Sequence, residues 1–201
     1  MGFRDRLIVL ASASMMLAIA PTGAFAADTS MPTGGRTSQP VGHYEFCKRM
    51  PAECADRTRD SRPIELTRKL WDSMVAINQE VNATVIPRTD YEIWGREEYW
   101  SYPTDVGDCE DYVLEKRRLL MKVGVPASNL LITVVRQTNG DGHAVLTVET
   151  ALGDFILDNL ESRVLAWTDT DYRYLKRQSN RDSSVWVSIG DDRNVAVGSV
   201  R

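Results

Sequence analysis

The sequence predicts one α+β domain in which helices come first and an antiparallel sheet follows. Two observations carry this. Between residues 63 and 123 apolar side chains recur at three- and four-residue steps, the period of helices with one buried face. From residue 130 onward, short runs of β-branched and aromatic residues alternate with Gly- and Asn-containing turns, as strands of a meander do.

In chain order, the first segment reads as an export leader. Arg4 and Arg6 precede an apolar run over 7–20, and Ala24-Phe25-Ala26 offers a small-x-small cleavage site, so residues 1–26 are expected to be removed. Residues 27–42 are rich in Thr, Ser, Gly and Pro with no apolar period, which predicts a flexible N-terminus ahead of a single domain over 43–201. Residues 43–59 read as a loop. A helix is expected over 63–85, with Ser61 as cap, Pro63 in its first turn, and Leu66, Leu70, Trp71, Met74, Ile77 and Val81 as its core stripe. Residues 88–106 form a long aromatic connection whose Tyr91, Trp94, Tyr99, Trp100 and Tyr102 either wall a substrate groove or cover one end of the core.

A second helix is expected over 109–123, stopped by Gly124, with Glu115, Lys116, Arg117 and Arg118 on a solvated surface. Strands follow over 130–137, 143–150 and 155–158, joined by Asn139-Gly140-Asp141-Gly142 and Leu152-Gly153-Asp154. One or two short strands are expected around Tyr172, Tyr174 and 185–189, and the chain after Gly190 reads as loosely held.

Composition narrows the function. The net charge is −4, and the leader removes Arg4, Arg6 and Asp5, so the mature chain is slightly more acidic. No basic cluster is interleaved with aromatics, which argues against a nucleic-acid partner, and no run beyond the leader is long enough for stable membrane insertion. Three cysteines leave one over. Cys47 and Cys54 lie close together in a polar stretch and are expected to form a disulfide in an oxidising compartment. A zinc site of His43, Cys47 and Cys54 fits no common finger spacing and competes for the same sulfurs.

Cys109 is then the free thiol, at the point where a loop becomes a helix. There the helix dipole and unpaired backbone N–H groups favour a thiolate. His143 opens the second strand and Asp158 closes the third, so a meander brings them side by side. If the helix starting at Cys109 packs its first turn on that end of the sheet, a thiol, a base and an acid that orients the base converge.

The blocks Gly107-Asp108-Cys109-Glu110-Asp111-Tyr112, Gly142-His143-Ala144-Val145-Leu146 and Leu157-Asp158-Asn159-Leu160 resemble the signature blocks of the bacterial transglutaminase-like cysteine peptidases. Trp94-Gly95, Trp100, Pro103 and Lys176-Arg177-Gln178-Ser179 extend the likeness over most of the chain from His43. The resemblance implies a papain-like, transglutaminase-type core with Cys109 as nucleophile, His143 as general base and acid, and Asp158 as orienting residue. The family includes periplasmic proteases that release biofilm adhesins, so it implies a periplasmic or secreted cysteine protease, with a surface adhesin or another periplasmic protein as substrate.

Adhesin-releasing members bind calcium through the acids flanking the cysteine, which match Asp108 and Glu110 here. The other reading is that Asp108 caps the helix and Glu110 faces water. Transglutamination and a non-catalytic binding module on the same fold remain alternatives. A regulatory membrane-protein partner leaves no mark that the sequence displays. The oxyanion is expected to lie at the Cys109 backbone N–H and one donor from the aromatic connection, with Trp94 and Trp100 as candidates.

Overall fold

The structure is a computed structural model that describes residues 29–191. The expected leader and most of the tail after Gly190 lie outside the described residues. Seven strands form one sheet, and helices pack on one of its faces. The strands are β1 (Thr33–Thr37), β4 (Leu130–Arg136), β5 (Gly142–Thr150), β6 (Gly153–Leu157), β7 (Leu165–Ala166), β8 (Arg173–Gln178) and β9 (Trp186–Ile189), in the order β1-β9-β8-β4-β5-β6-β7. All their pairings are antiparallel. The remaining strands, β2 (Ile86–Pro87) and β3 (Val106–Gly107), form a separate parallel pair. This is the mixed helix and antiparallel-sheet arrangement expected.

The helices are α1 (Val41–Arg49), α2 (Arg68–Thr84), α3 (Asp90–Trp94) and α4 (Cys109–Lys122). On α2, Leu70, Met74, Ile77 and Val81 are buried, as the spacing predicts. They pack with Tyr112, Val113, Leu114 and Leu120 of α4 and with Ala144, Leu146 and Val148 of β5. The opposite face of the sheet is covered too, by Met31, Val135, Val145, Ile156, Trp167, Tyr174 and Ile189. The central strands are therefore buried on both sides, and that holds their ends, where the site lies, in fixed register.

Several expectations are corrected. Residues 27–42 are not uniformly flexible. Thr33–Thr37 pairs with β9, because that edge strand offers unpaired backbone groups, and Val41 begins α1. The loop assigned to 43–59 contains α1 and a short 3₁₀ turn at Pro51–Cys54. The helix expected from 63 starts at Arg68, capped by the Thr67 hydroxyl rather than by Ser61. Ile64 is held extended by a bridge to Thr150, so the chain cannot turn helical earlier. Within 88–106, Thr89 and Glu92 form a reciprocal capping box that starts α3. Lys116 and Arg117, read as solvated, are 0 % and 3 % exposed.

The Cys47–Cys54 disulfide is formed. His43 sits against it, 1 % exposed, with its ring edge-on to Trp100 and Trp186. N–H donors surround the ring: Trp186 Nε1 is 3.3 Å from Nδ1 and Gln178 Nε2 is 3.1 Å from Nε2. Gln178 cannot turn to accept instead, because its oxygen takes the Ile132 N–H and its nitrogen donates to the Ser183 carbonyl.

Gln39 Nε2 is also 2.6 Å from Nδ1, and no carboxylate bonds the ring among the described residues, so an imidazolium there would be an uncompensated charge in an apolar cage. Burial and then Arg117 lower the His43 pKa from 6.5 to about 4. Below pH 6.5 the unfolded chain takes up a proton that the folded chain refuses, so stability falls as pH drops toward 4. The full loss is about 3 kcal/mol. Melting at pH 6.5 and pH 4 should show wild type losing more stability than H43Q by about that amount. Equal losses would assign the acid sensitivity elsewhere.

Candidate active site

Cys109 is the first residue of α4. The chain enters it from β3, which is clamped to β2 through Ile86↔Val106 and Pro87↔Gly107. Gly107 is needed there, since a Cβ on it would meet the Asp111 side chain at 2.8 Å. The Cys109 sulfur is half-buried, α4 packs on β5, and Cys109 borders the core cluster that contains Ala144. The first residues of β5 run beyond the end of β6, because β5 and β6 pair only from Leu146↔Leu157 onward. The overhang carries His143.

Asp158 follows the last residue of β6. Its Oδ1 accepts from His143 Nε2 at 2.8 Å, with both side chains 3 % exposed. Oδ1 also takes the Leu160 N–H at 3.0 Å, and Oδ2 takes the Tyr172 hydroxyl at 2.5 Å. The Tyr172 ring lies 5.6 Å from the His143 ring. Burial works against the charged form of Asp158, but the bond and charge of His143, then Leu160 and Tyr172, hold its pKa below the ordinary value. With Nε2 tied to a carboxylate, Nδ1 is the ring nitrogen left to exchange a proton with a thiol. A cavity of about 300 Å³ opens beside Asp158 and Tyr172, lined also by Leu160, Glu161 and Asp171. A larger one, about 520 Å³, lies between Arg57, Pro126 and Asn180 and is lined by none of Cys109, His143 and Asp158.

The acids around the cysteine form two groups. Glu110 Oε2 accepts the Cys109 thiol proton at 2.9 Å. Burial first, then Glu110 and Asp108, push the Cys109 pKa well above the ordinary thiol value. Asp90, Asp108 and Asp111 converge, with one oxygen from each within 4.8 Å of the others. Asp90 binds the Tyr99 N–H and Asp111 the Ser101 N–H, yet Asp90 Oδ1, Asp108 Oδ1 and Asp111 Oδ2 have no partner among the described residues. Asp108 makes no capping bond to α4, and Glu110 faces sulfur, not water. Burial, then neighbouring negative charge, pushes the Asp108 pKa up to about 8; Asp111 is also pushed up to about 8, chiefly by burial. Three orphaned carboxylate oxygens in a buried concentration of negative charge fit a hard divalent cation. Of the expected pair, Asp108 joins this group while Glu110 stands beside it at the thiol.

Sequence reasoning passed over Asp90, Asp111 and Tyr172. Asp90 was detectable as the first residue after the Thr89 cap, and Asp111 lay inside the cysteine block. Trp100 is no oxyanion donor, because its indole N–H bonds to Glu98 and its ring is 1 % exposed against His43. Trp94 is half-exposed and stacks on Tyr99.

The sequence profile of the bacterial transglutaminase-like cysteine proteinases matches residues 33–194. The chain belongs to that family. Legionella pneumophila LapG has a similar structure. Its calcium-bound form is 27 % identical, over 61 % of this chain and 72 % of that one, with a TM-score of 0.50. A second LapG structure is 24 % identical over 75 % and 81 % of the two chains, and an EGTA-treated one 23 % over 79 % and 86 %, each with a TM-score of 0.50. No curated protein matches in sequence. As a member of this proteinase family with a transglutaminase-like fold, the chain is a cysteine peptidase, and its three cysteines divide into the disulfide and the free Cys109.

Proposed function

We propose that this peptidase is exported and cuts a protein in the periplasm or at the cell surface, with Cys109, His143 and Asp158 as its catalytic set. The observation that carries the assignment is the buried His143–Asp158 bond at 2.8 Å, next to Ala144 of the core cluster that Cys109 packs against. Export rests on the leader pattern and on the disulfide. No helix among the described residues is long and apolar enough to cross a membrane.

In the reaction, His143 Nδ1 takes the thiol proton and the Cys109 sulfur attacks the scissile carbonyl. Asp158 holds Nε2–H and stabilises the imidazolium. The imidazolium then protonates the leaving amine, a thioester forms on Cys109, and water activated by His143 hydrolyses it. The Cys109 backbone N–H, at the start of α4, stabilises the oxyanion.

Calcium would be held by Asp90, Asp108 and Asp111, and the calcium-bound LapG structure is in keeping with this. Bound there, it would offset the negative charge that opposes thiolate formation. Incubating the mature protein with casein and a labelled primary amine tests the reading. Cleavage is expected, and it should be abolished by Cys109→Ala. Amine incorporation without cleavage would reassign the activity to transglutamination.

A further inference from the structure

Tyr172 stands just before β8, and the sheet register carries it to the end where His143 lies. Val135 of β4 faces His143 on one side and Tyr174 on the other. The segment around Tyr172 is held from the back of the sheet. Tyr174 is 1 % exposed, with its ring edge-on to Trp167 and its hydroxyl bonded to Thr170, which donates to the Trp167 carbonyl. From this anchored position the Tyr172 hydroxyl donates to Asp158 Oδ2 at 2.5 Å, and its ring lies 5.6 Å from that of His143, tilted by 55°.

The two oxygens of Asp158 are unequally loaded. Oδ1 receives both His143 Nε2–H and the Leu160 N–H, whereas Tyr172 is the donor on Oδ2. The torsion that turns a carboxylate is soft. Without a hold on Oδ2, the group can rotate and leave His143 without its partner while still satisfying Leu160. Water has a place to enter as well, since the cavity of about 300 Å³ is lined by Asp158 and Tyr172 but not by His143. Burial and then the Asp158 carboxylate raise the Tyr172 pKa, so the hydroxyl keeps its proton for donation.

We propose that Tyr172 is a positioning residue for the His143–Asp158 pair: its hydroxyl fixes the plane of the carboxylate, and its ring walls the pair off from the neighbouring cavity. The inference rests on the assignment of His143 and Asp158 above. Only the Nε2–H tautomer leaves Nδ1 free to take a proton. A carboxylate that turns lets the ring change tautomer or swing, so fewer molecules are poised to react. The loss then falls on kcat and not on substrate binding.

The chain has two histidines, so the ring-nitrogen spectrum of tag-free mature protein with isotope-labelled histidine shows two imidazoles, and H143A assigns them. The spectra are taken at pH 8.5 in a C109A background, where no thiolate pairs with the ring. With Tyr172 present, His143 should be a single Nε2–H tautomer with a slowly exchanging proton. In Y172F that proton should exchange about tenfold faster, and the Nδ1–H tautomer should appear. Y172L, which also removes the ring, should go further.

With Cys109 restored, Y172F should lower kcat for casein about three- to tenfold, the scale of one hydrogen bond, with KM held within about twofold. Added to D158A, it should change kcat by less than about twofold, because the group it acts through is gone. Phe fills the same space, and melting checks that each variant is folded. An unaltered His143 spectrum in Y172F, an unchanged kcat whatever KM does, or a fall of the same size in D158A would each overturn the proposal. The spectrum reads the pair without turnover. An H143A enzyme that cleaves casein within tenfold of wild type would instead remove His143 from the mechanism, and this inference with it.

Discussion

Asp158→Ala is expected to lower kcat/KM for a protein substrate by about 10³- to 10⁴-fold, the scale of losing both proton transfer and the orientation of the base. The size follows from how much converges on one carboxylate. Its removal leaves His143 Nε2–H, the Leu160 N–H and the Tyr172 hydroxyl without their acceptor in a buried site. The imidazole then loses both its tautomer and its direction. Asp158→Asn separates the two roles. The amide oxygen still accepts from His143 and Leu160, and the Tyr172 hydroxyl rotates to accept from the amide nitrogen. Orientation is kept and charge is lost, so the expected fall is smaller, about 10²-fold. Steady-state cleavage assays on folded variants, checked by thermal melting, decide the matter. An Asp158→Ala enzyme within tenfold of wild type would remove Asp158 from the mechanism.

Chelation is expected to produce the second large effect. EGTA should slow both casein cleavage and iodoacetamide capture of Cys109 by about 10- to 100-fold, because the thiol is left facing uncompensated carboxylates. Burial is the first cause of its high pKa and Glu110 the second, so a cation at Asp90, Asp108 and Asp111 removes part of the opposition rather than all of it. Binding to the folded state alone also stabilises it. At a hundredfold excess over Kd this amounts to about 2.7 kcal/mol, or roughly 5–10 °C in Tm for a domain of this size. Asp90→Asn and Asp111→Asn should fold and lose the calcium response, since each removes a charge from a buried site where like charges crowd. A Tm that is the same in calcium and in EGTA would take the cation site away.

The sheet meander was legible because strand period and turn chemistry are local. Asn139-Gly140 and Leu152-Gly153 mark the turns between which β5 must lie, and β5 and β6 follow within two residues of expectation. The neighbourhood of His143 and Asp158 followed from that meander alone, since antiparallel register leaves little choice. Other features depended on distant partners. β1 forms only because β9 presents an edge to it, and α3 is too short for its period to register, although its capping box was present. Lys116 and Arg117 look like an exposed basic run in one dimension. In the fold, the Arg117 guanidinium reaches the Leu130 carbonyl and Asp56, and the Lys116 stem is enclosed.

By itself, then, the chain's order of residues determined a lone thiol at a helix start, a histidine and an aspartate at adjoining strand ends, and a paired set of cysteines, because each depends on near neighbours or on simple counting. Only the tertiary structure decided that Asp90 comes to stand beside Asp108 and Asp111, and that Glu110 turns to the sulfur. Asp90 lies 18 and 21 positions before its two partners, and which way Glu110 turns depends on what packs around the helix start. Periodicity says which face of an element is buried, but not which buried charges will meet there.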